Sequence, residues 1–279
     1  MRVDAHHHLW RYDAGEYGWI DEPMRPLRRD FLPADLEREM QVAGVDAAVA
    51  VQARQTMEET RWLLELAKSS RVIRGVVGWA PIAADDFPAV VEELAQESLL
   101  KGLRHVVQAE PAGFLDGVEF NRGIEAMRGT GLVYDVLVFA PQIEEATRFV
   151  DRHPEQQFVL DHLGKPAIAK DGFAVWAKDF RELARRENVV CKVSGMVTEA
   201  DWEQWREEDL KRYFDVAVEE FGPSRLMVGS DWPVLTVACG YGQWWEMVQR
   251  WTSRLAASEQ ALIEGEVAAR IYRLDAVLT

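Results

Sequence analysis

The residues best suited to chemistry stand near the start of the chain, in the segment 3–10, which reads VDAHHHLW. Three of the six histidines lie there. Alternate side chains of a strand share a face, so His6 and His8 point one way and His7 the other. Two imidazoles about 6.6 Å apart along a strand can converge on one metal ion or one polarised oxygen. Three histidines are too few for a purification tag, and their neighbours are typical of a native strand.

Other polar residues stand in or at the ends of later apolar segments. His105 lies within one such segment, His162 ends another, and Asp231 ends a third within the sequence GSDWP. Taken singly, a buried histidine and an aspartate in a turn before proline are common structural features. Their shared location in the chain favours a functional site.

These residues belong to a regular alternation of apolar and amphipathic segments. The apolar segments are the histidine strand and then 47–51, 73–79, 102–107, 133–138, 158–162, 189–194 and 226–229. Short apolar strands imply a parallel sheet covered on both faces, and eight such units closing on themselves make a (β/α)8 TIM barrel. We therefore predict an α/β protein with residues 1–279 in a single domain. An open doubly wound sheet is the alternative, but no GxGxxG motif follows the first strand.

The amphipathic segments predict the helices that cover this barrel. They occur at 33–43, with Gly44 as a C-terminal cap, and at 58–69, 87–100, 119–127, 143–152, 173–186, 202–221, 244–255 and 259–274. Residues 11–30 lack periodicity and are predicted to form a long loop, which in a compact domain is usually functional.

Composition limits the partners. The net charge of −15 argues against nucleic acid, because phosphate binding needs clustered basic residues. Two distant cysteines, Cys191 and Cys239, and no long apolar run favour a cytoplasmic protein without a membrane segment or a disulfide framework. We expect a small-molecule substrate, and the sequence leaves a homo-oligomer open.

In a TIM barrel the active site lies at the carboxyl ends of the strands. The eighth strand adjoins the first, so Asp231 should project toward His6 and His8, where it can complete a metal site or act as a general base. His162 and Lys165 are placed to donate to a developing oxyanion.

Three stretches together resemble the amidohydrolase superfamily: DAHHHLW at 4–10, DHLGKP at 161–166 and GSDWP at 229–233. More narrowly, they resemble its amidohydrolase-2 branch, which includes sugar lactonases such as L-fuconolactonase and L-rhamnonolactonase. The similarity spans essentially the whole chain in the same order. Carried over residue by residue, the family's His-x-His pair falls on His6 and His8, its sixth-strand histidine on His162, and its eighth-strand aspartate on Asp231.

The resemblance also bears on metal binding. Metal-dependent relatives add a carboxylated lysine in the fourth strand or a histidine in the fifth, whereas here the fourth strand carries His105 and the fifth has no histidine. This departure argues against a binuclear centre. Two alternatives stay open: one divalent ion, zinc in the first place, on His6, His8 and Asp231 with or without the sixth-strand histidine, or a metal-free site in which histidines polarise the carbonyl.

The resemblance implies hydrolysis of a small lactone, with a sugar aldonolactone as the expected substrate. Asp231 would deprotonate the attacking water and then protonate the leaving alkoxide, while the histidines stabilise the oxyanion. The candidate substrate-binding residues are Arg54, Arg104, His105, Lys165 and Trp232. The alternatives are amide hydrolysis or nonoxidative decarboxylation on the same barrel, and a non-catalytic barrel that binds a metal or a sugar acid.

Overall fold

The computed structural model describes residues 1–170 and 172–274, in which eight parallel strands form one sheet in sequence order. The strands are β1 (Val3–His7), β2 (Ala47–Val51), β3 (Ile73–Gly78), β4 (Leu100–His105), β5 (Val133–Val136), β6 (Phe158–Leu160), β7 (Val189–Val193) and β8 (Leu226–Val228). The sheet closes because the Asp231 amide donates to the His6 oxygen at 2.8 Å and the His8 amide to the Trp232 oxygen at 2.6 Å. The predicted TIM barrel is confirmed.

The helices follow the strands one by one and cover the outside of the barrel. They are α1 (Pro33–Ala43), α2 (Met57–Ser69), α3 (Phe87–Leu94), α4 (Val118–Ala126), α5 (Ile143–Arg152), α6 (Phe173–Ala184), α7 (Glu207–Phe221), α8 (Tyr241–Thr252), α9 (Ala257–Ala261) and α10 (Val267–Ile271). Among the described residues, no helix combines the length and the apolar character that crossing a membrane requires.

Two helices are shorter by five residues or more than their sequence pattern predicts. The helix predicted over 202–221 begins at Glu207, because the Asp201 carboxylate accepts hydrogen bonds from the amides of Glu203 and Gln204, both at 3.0 Å. A side chain that bonds to the backbone in this way stabilises a turn in place of a helix. The helix predicted over 87–100 ends at Leu94, and its last predicted residue opens β4.

The C-terminal helix predicted over 259–274 is interrupted. One π turn, Leu262–Glu266, separates α9 from α10. Gly265 in this turn packs directly on the backbone of Met1, where a Cβ would collide with the Met1 oxygen. The terminal segment therefore bends to lie against the start of β1, a long-range contact that overrides the local helical pattern.

A glycine in α4 gives a stability prediction. A Cβ on Gly123 would collide with the backbone oxygen of Ile82, so we expect Gly123→Ala to lower the free energy of unfolding by about 1–3 kcal/mol through overpacking. Gly242, near the start of α8, has no atom within 4 Å of its added Cβ, so Gly242→Ala is the matched control and should not destabilise. Urea titration of both variants checks this. Equal stability of the two would contradict the packing argument.

Candidate active site

The candidate site is a cluster of imidazoles and one carboxylate at the carboxyl end of the barrel. His6 lies in β1, His8 follows that strand, and Asp231 follows β8. Nε2 of His6 lies 3.2 Å from Nε2 of His8. Oδ1 of Asp231 lies 3.8 Å from the His6 atom and 3.3 Å from the His8 atom. The two imidazoles share a face, as strand alternation predicts, and barrel closure brings the aspartate to them.

His162 joins this cluster from the turn after β6. Its Nε2 lies 3.9 Å from Oδ1 of Asp231, and its Nδ1 lies 2.8 Å from the hydroxyl of Ser194. Both His162 and Asp231 have left-handed backbone conformations, with φ values of 53° and 60°. Such conformations cost about 1–3 kcal/mol in residues other than glycine and concentrate at functional sites. The surrounding fold therefore maintains both residues in conformations that they would not adopt locally.

A buried carboxylate fixes the backbone that carries Asp231. Asp4 is fully buried and accepts hydrogen bonds from the Ser230 amide at 2.8 Å, the Ser230 hydroxyl at 2.6 Å and the Tyr241 hydroxyl at 3.1 Å. It also accepts one from the amide of His6. Burial raises the pKa of Asp4 to about 6 despite these donors. The bonds tie β1 to the turn after β8 and so set the spacing between His6 and Asp231.

Four charged side chains next to the cluster form what we call the buried charge network: Arg104, Asp135, Asp161 and Lys192. Each is at most 3% exposed. Nζ of Lys192 lies 2.5 Å from Oδ2 of Asp135 and 3.0 Å from Oδ1 of Asp161. Arg104 donates through Nη1 to Oδ2 of Asp161 at 2.9 Å. Two cations and two carboxylates thus balance each other, which burial of charge requires.

The buried charge network links His6 to the C-terminal segment. Nδ1 of His6 lies 3.2 Å from Nζ of Lys192 and 3.4 Å from Oδ1 of Asp161. The hydroxyl of Tyr272, just after α10, donates to Asp135 at 2.8 Å. A displacement of the C-terminal segment would therefore change the contacts of His6 in β1.

Burial determines the protonation of the cluster. It lowers the pKa of His6 well below its ordinary value and that of His162 to about 4. Burial alone would raise the pKa of Asp231, but the neighbouring imidazoles, His162 first and then His8, outweigh it, so that pKa lies below its ordinary value. At neutral pH the imidazoles of His6 and His162 are therefore neutral and stand beside a carboxylate, the forms that bind a metal ion or accept a proton.

The cluster opens into a cavity of about 820 Å³. His8, His162 and Asp231 line it together with loop residues from around the barrel mouth. The other polar or charged lining residues are Glu16, Arg54, Gln55, Thr56, Arg104, Gln108, Lys165, Thr198 and Glu199. The large apolar ones are Trp19, Met24, Val106, Leu137 and Val234. A cavity of this volume suits a single small ring with its substituents.

The loop predicted over 11–30 forms one wall of this cavity. It contributes Glu16, Trp19 and Met24 to the lining. Trp19 is 43% exposed although its ring packs edge-on against buried Trp10. A large aromatic side chain is thus packed on one edge and exposed in part at the cavity.

Each cationic side chain that lines the cavity already has a carboxylate partner. Arg54 pairs with Glu16 at 2.7 Å, and Lys165 pairs with Glu199 at 3.0 Å. Arg104 belongs to the buried charge network. The cavity therefore presents ion-paired groups rather than uncompensated positive charge.

Comparison with known proteins identifies a family. The sequence model of the amidohydrolase family matches residues 3–274. The chain belongs to the amidohydrolase family. It is 43% identical to an L-fucono-1,5-lactonase of Burkholderia multivorans, over 98% of this chain and 96% of the relative. It is 34% identical to an L-fucono-1,5-lactonase of Burkholderia ambifaria, over 99% of this chain and 96% of the relative.

The solved structure of a related amidohydrolase agrees with this assignment. It is a crystal structure from Burkholderia multivorans with bound zinc, 42% identical, with a TM-score of 0.94 over 99% of this chain and 100% of that one. The resemblance seen in the sequence motifs is thereby confirmed.

The cluster of this amidohydrolase has the donor set and spacing of a single metal site. A tetrahedral zinc ion with bonds of about 2.0–2.1 Å needs donor atoms roughly 3.3 Å apart. The donors of His6, His8 and Asp231 lie 3.2–3.8 Å apart. Nδ1 of His8 lies 2.8 Å from the Val51 oxygen, which can only accept a hydrogen bond, so the ring proton of His8 is on Nδ1. The lone pair on Nε2 then faces the ligand atoms of His6 and Asp231. The three residues therefore fit one divalent ion.

The predicted substrate-binding residues of the amidohydrolase separate into two groups. Arg54, Arg104 and Lys165 line the cavity. His105 and Trp232 do not. Nε2 of His105 lies 2.8 Å from Glu110, and its ring stacks on Phe114 with centroids 4.8 Å apart. Because Arg104 and His105 are consecutive in β4, the inward direction of the first turns the second outward.

Two residues adjacent in sequence to candidate site residues, His7 and Trp232, also lie away from the cavity. Trp232 is 2% exposed, and its ring packs edge-on against Phe31 at a centroid distance of 5.3 Å. His7 is fully buried and neither of its ring nitrogens has a hydrogen-bond partner among the described residues. Burial lowers the pKa of His7 to about 3, which keeps it neutral.

The prediction from sequence gave no role to Asp4, Asp135 or Lys192. The sequence does contain a sign of a role for two of them, because Asp135 and Lys192 interrupt the apolar runs VYDV and VVCKV. A charge in the middle of a buried parallel strand requires an opposite charge from a neighbouring strand. That rule points to the buried charge network without revealing that it contacts His6.

Proposed function

We propose that this protein is a hydrolase that opens the ring of a small lactone, with a sugar aldonolactone as substrate. The observation that carries the proposal is the carboxylate of Asp231, held 3.3 Å from His8 at the wall of a cavity sized for one sugar ring. The relatives support the same reaction, since two proteins 43% and 34% identical are named L-fucono-1,5-lactonase.

Asp231 serves as general base in the proposed reaction. It takes a proton from water as the water oxygen bonds to the lactone carbonyl carbon, which leaves negative charge on the carbonyl oxygen. We assign stabilisation of that oxygen to His162 and Arg104, which both line the cavity. The ring C–O bond then breaks, Asp231 returns its proton to the leaving alkoxide, and the product is the open-chain hydroxy acid.

One divalent ion, zinc, is the cofactor we assign to His6, His8 and Asp231. When bound, such an ion supplies Lewis-acid charge for the developing oxyanion and lowers the pKa of a bound water. The chain contributes the orientation of its donors, since the Val51 carbonyl fixes the ring of His8.

The ion pairs around the cavity support a neutral, hydroxyl-rich substrate. Sugar hydroxyls both donate and accept, so they can bind between Glu16 and Arg54 at one wall and between Lys165 and Glu199 at another. A carboxylate substituent would compete with carboxylates that are already in place. This assigns Arg54 and Lys165 to hydroxyl binding.

A panel of aldonolactones assayed with a pH indicator, alongside metal analysis of the purified protein, tests the proposal. We expect acid release from at least one neutral lactone well above its spontaneous rate. Folded protein that opens no lactone but hydrolyses an amide or releases carbon dioxide from an aromatic acid would contradict it. Folded protein inactive on every class would indicate a binding barrel.

Trp19 gives a prediction for substrate binding. Removal of its exposed ring in Trp19→Ala is expected to raise KM about 2- to 10-fold with little change in kcat, since an aromatic contact contributes about 0.5–1.5 kcal/mol. Trp19→Phe is the matched control and should retain most of the affinity. Steady-state kinetics with the best lactone of the panel measures both. A change confined to kcat would place Trp19 outside the substrate contact.

A further inference from the structure

The surroundings of His6 are balanced in an unusual way. Its Nδ1 faces one donor, the Lys192 ammonium at 3.2 Å, and one acceptor, the Asp161 carboxylate at 3.4 Å. Its Nε2 faces another donor, the Arg104 guanidinium at 3.3 Å, and another acceptor, Nε2 of His8 at 3.2 Å. Each ring nitrogen can therefore either give or receive a hydrogen bond.

A neutral imidazole carries one proton, so only one nitrogen donates at a time. With the proton on Nε2, His6 donates to His8 and accepts from Lys192. With the proton on Nδ1, His6 faces Asp161 with its N–H group, and its Nε2 lone pair accepts from Arg104. Each arrangement leaves one cation facing an N–H group, Arg104 in the first and Lys192 in the second. Both arrangements satisfy the ring within the same packing, and His6 is fully buried, so water does not compete.

Only the second arrangement binds an ion through Nε2, because a nitrogen that carries a proton has no lone pair to offer. Lys192 favours the arrangement that cannot bind the ion, and Asp161 favours the arrangement that can. The contacts of the first arrangement, both 3.2 Å, are shorter than those of the second, which are 3.4 Å to Asp161 and 3.3 Å to Arg104.

We propose that Lys192 is a positioning residue that keeps the proton of His6 on Nε2 in the ion-free protein and thereby weakens metal binding by His6, His8 and Asp231. Binding of the ion requires the proton to move to Nδ1, where the N–H group faces the Asp161 carboxylate. The inference rests on the proposed ion-holding residues and is independent of lactone hydrolysis.

Nitrogen NMR of protein labelled with ¹⁵N-histidine tests the proton position directly in the unaltered chain. His6 is assigned by comparison with His6→Asn. In metal-free protein we expect the His6 proton on Nε2, and after addition of zinc we expect it on Nδ1. A proton already on Nδ1 without metal would overturn the proposal.

Metal affinity gives the second test. The variant Lys192→Met with Asp135→Asn removes the ammonium together with one carboxylate and so keeps the buried charge balanced. Equilibrium dialysis against zinc alone should show about 10- to 100-fold tighter binding, with the His6 proton on Nδ1 before zinc is added. Asp135→Asn by itself is the control and should bind zinc like the unaltered protein.

The outcomes separate the two levels of inference. Equal zinc affinity of the double variant and the unaltered protein would overturn the role of Lys192 while leaving the ion site in place. No zinc binding by either protein would overturn the ion site and this inference with it. Neither result bears on lactone hydrolysis, which the substrate panel decides.

Discussion

Asp231→Asn is expected to lower kcat about 10²–10⁴-fold while the protein stays folded. Asparagine has nearly the same shape. The turn after β8 is held by the bonds of Ser230 to Asp4 and of the Asp231 amide to the His6 oxygen, so it is retained. Its amide oxygen cannot take a proton from water at neutral pH, and both proton transfers of the proposed reaction are lost. Steady-state kinetics with the preferred lactone, together with circular dichroism and thermal denaturation, measures the effect.

Glu110→Gln is the matched control for this experiment. Glu110 is also a carboxylate bound to a histidine, with its Oε1 2.8 Å from Nε2 of His105, but neither residue lines the cavity. Its replacement should leave kcat within a factor of about two, as expected of a change outside the site. If Asp231→Asn kept most of its turnover, another group would be the base.

The barrel was predictable because each strand is visible in the sequence as a short apolar run. β2 occupies the five residues 47–51 that the apolar run indicates, and β7 lacks only the last predicted residue. A parallel strand is covered on both faces, so the whole run must be apolar and its length is visible. The start of α7 and the π turn depend on the Asp201 side chain and on the Met1 backbone, which periodicity does not report.

The site was predictable to the extent that strand ends determine it. His6, His8 and Asp231 were linked by two rules, the alternation of a strand and the adjacency of the first and last strands in a closed barrel. Those rules fix the direction of a side chain only when the register is known. The direction of Arg104 and His105 in β4 depends on pairing with β5, so the sequence could not decide which one enters the barrel.

The cavity wall at 11–30 shows a second limit. A long loop without periodicity predicts functional importance. The position of the Trp19 ring, however, depends on its packing against Trp10, which lies nine residues earlier and just before the loop. Such contacts follow from the three-dimensional path of the loop.

Lys192→Met alone is expected to lower the free energy of unfolding by about 3–5 kcal/mol, the cost of removing one partner from a buried ion pair. Lys192 contacts Asp135 at 2.5 Å and Asp161 at 3.0 Å, and all three side chains are fully buried. Methionine fills much of the volume but leaves Asp135 without a cationic partner among the described residues. Urea titration monitored by tryptophan fluorescence measures the loss.

The loss should grow with pH. Burial raises the pKa of Asp135 to about 6 even beside Lys192, and removal of the ammonium raises that pKa further. A carboxyl whose pKa is higher in the folded protein than in the unfolded chain stabilises the fold while it is protonated, and this contribution is lost as pH rises through the folded value. The variant should therefore be closest to the unaltered protein near about pH 5 and furthest from it near about pH 8.

Two further variants separate buried charge from loss of packing. Adding Asp135→Asn to Lys192→Met should restore part of the stability and remove most of its pH dependence, because the carboxyl that titrates is gone. Lys68→Met breaks the pair with Glu65, in which the two side chains are 47% and 71% exposed, and should cost only about 0–1 kcal/mol. If Lys192→Met also cost that little, or if its loss did not vary with pH, the aspartates would have to draw their compensation from Arg104 and the Tyr272 hydroxyl, and Lys192 would be dispensable to the fold.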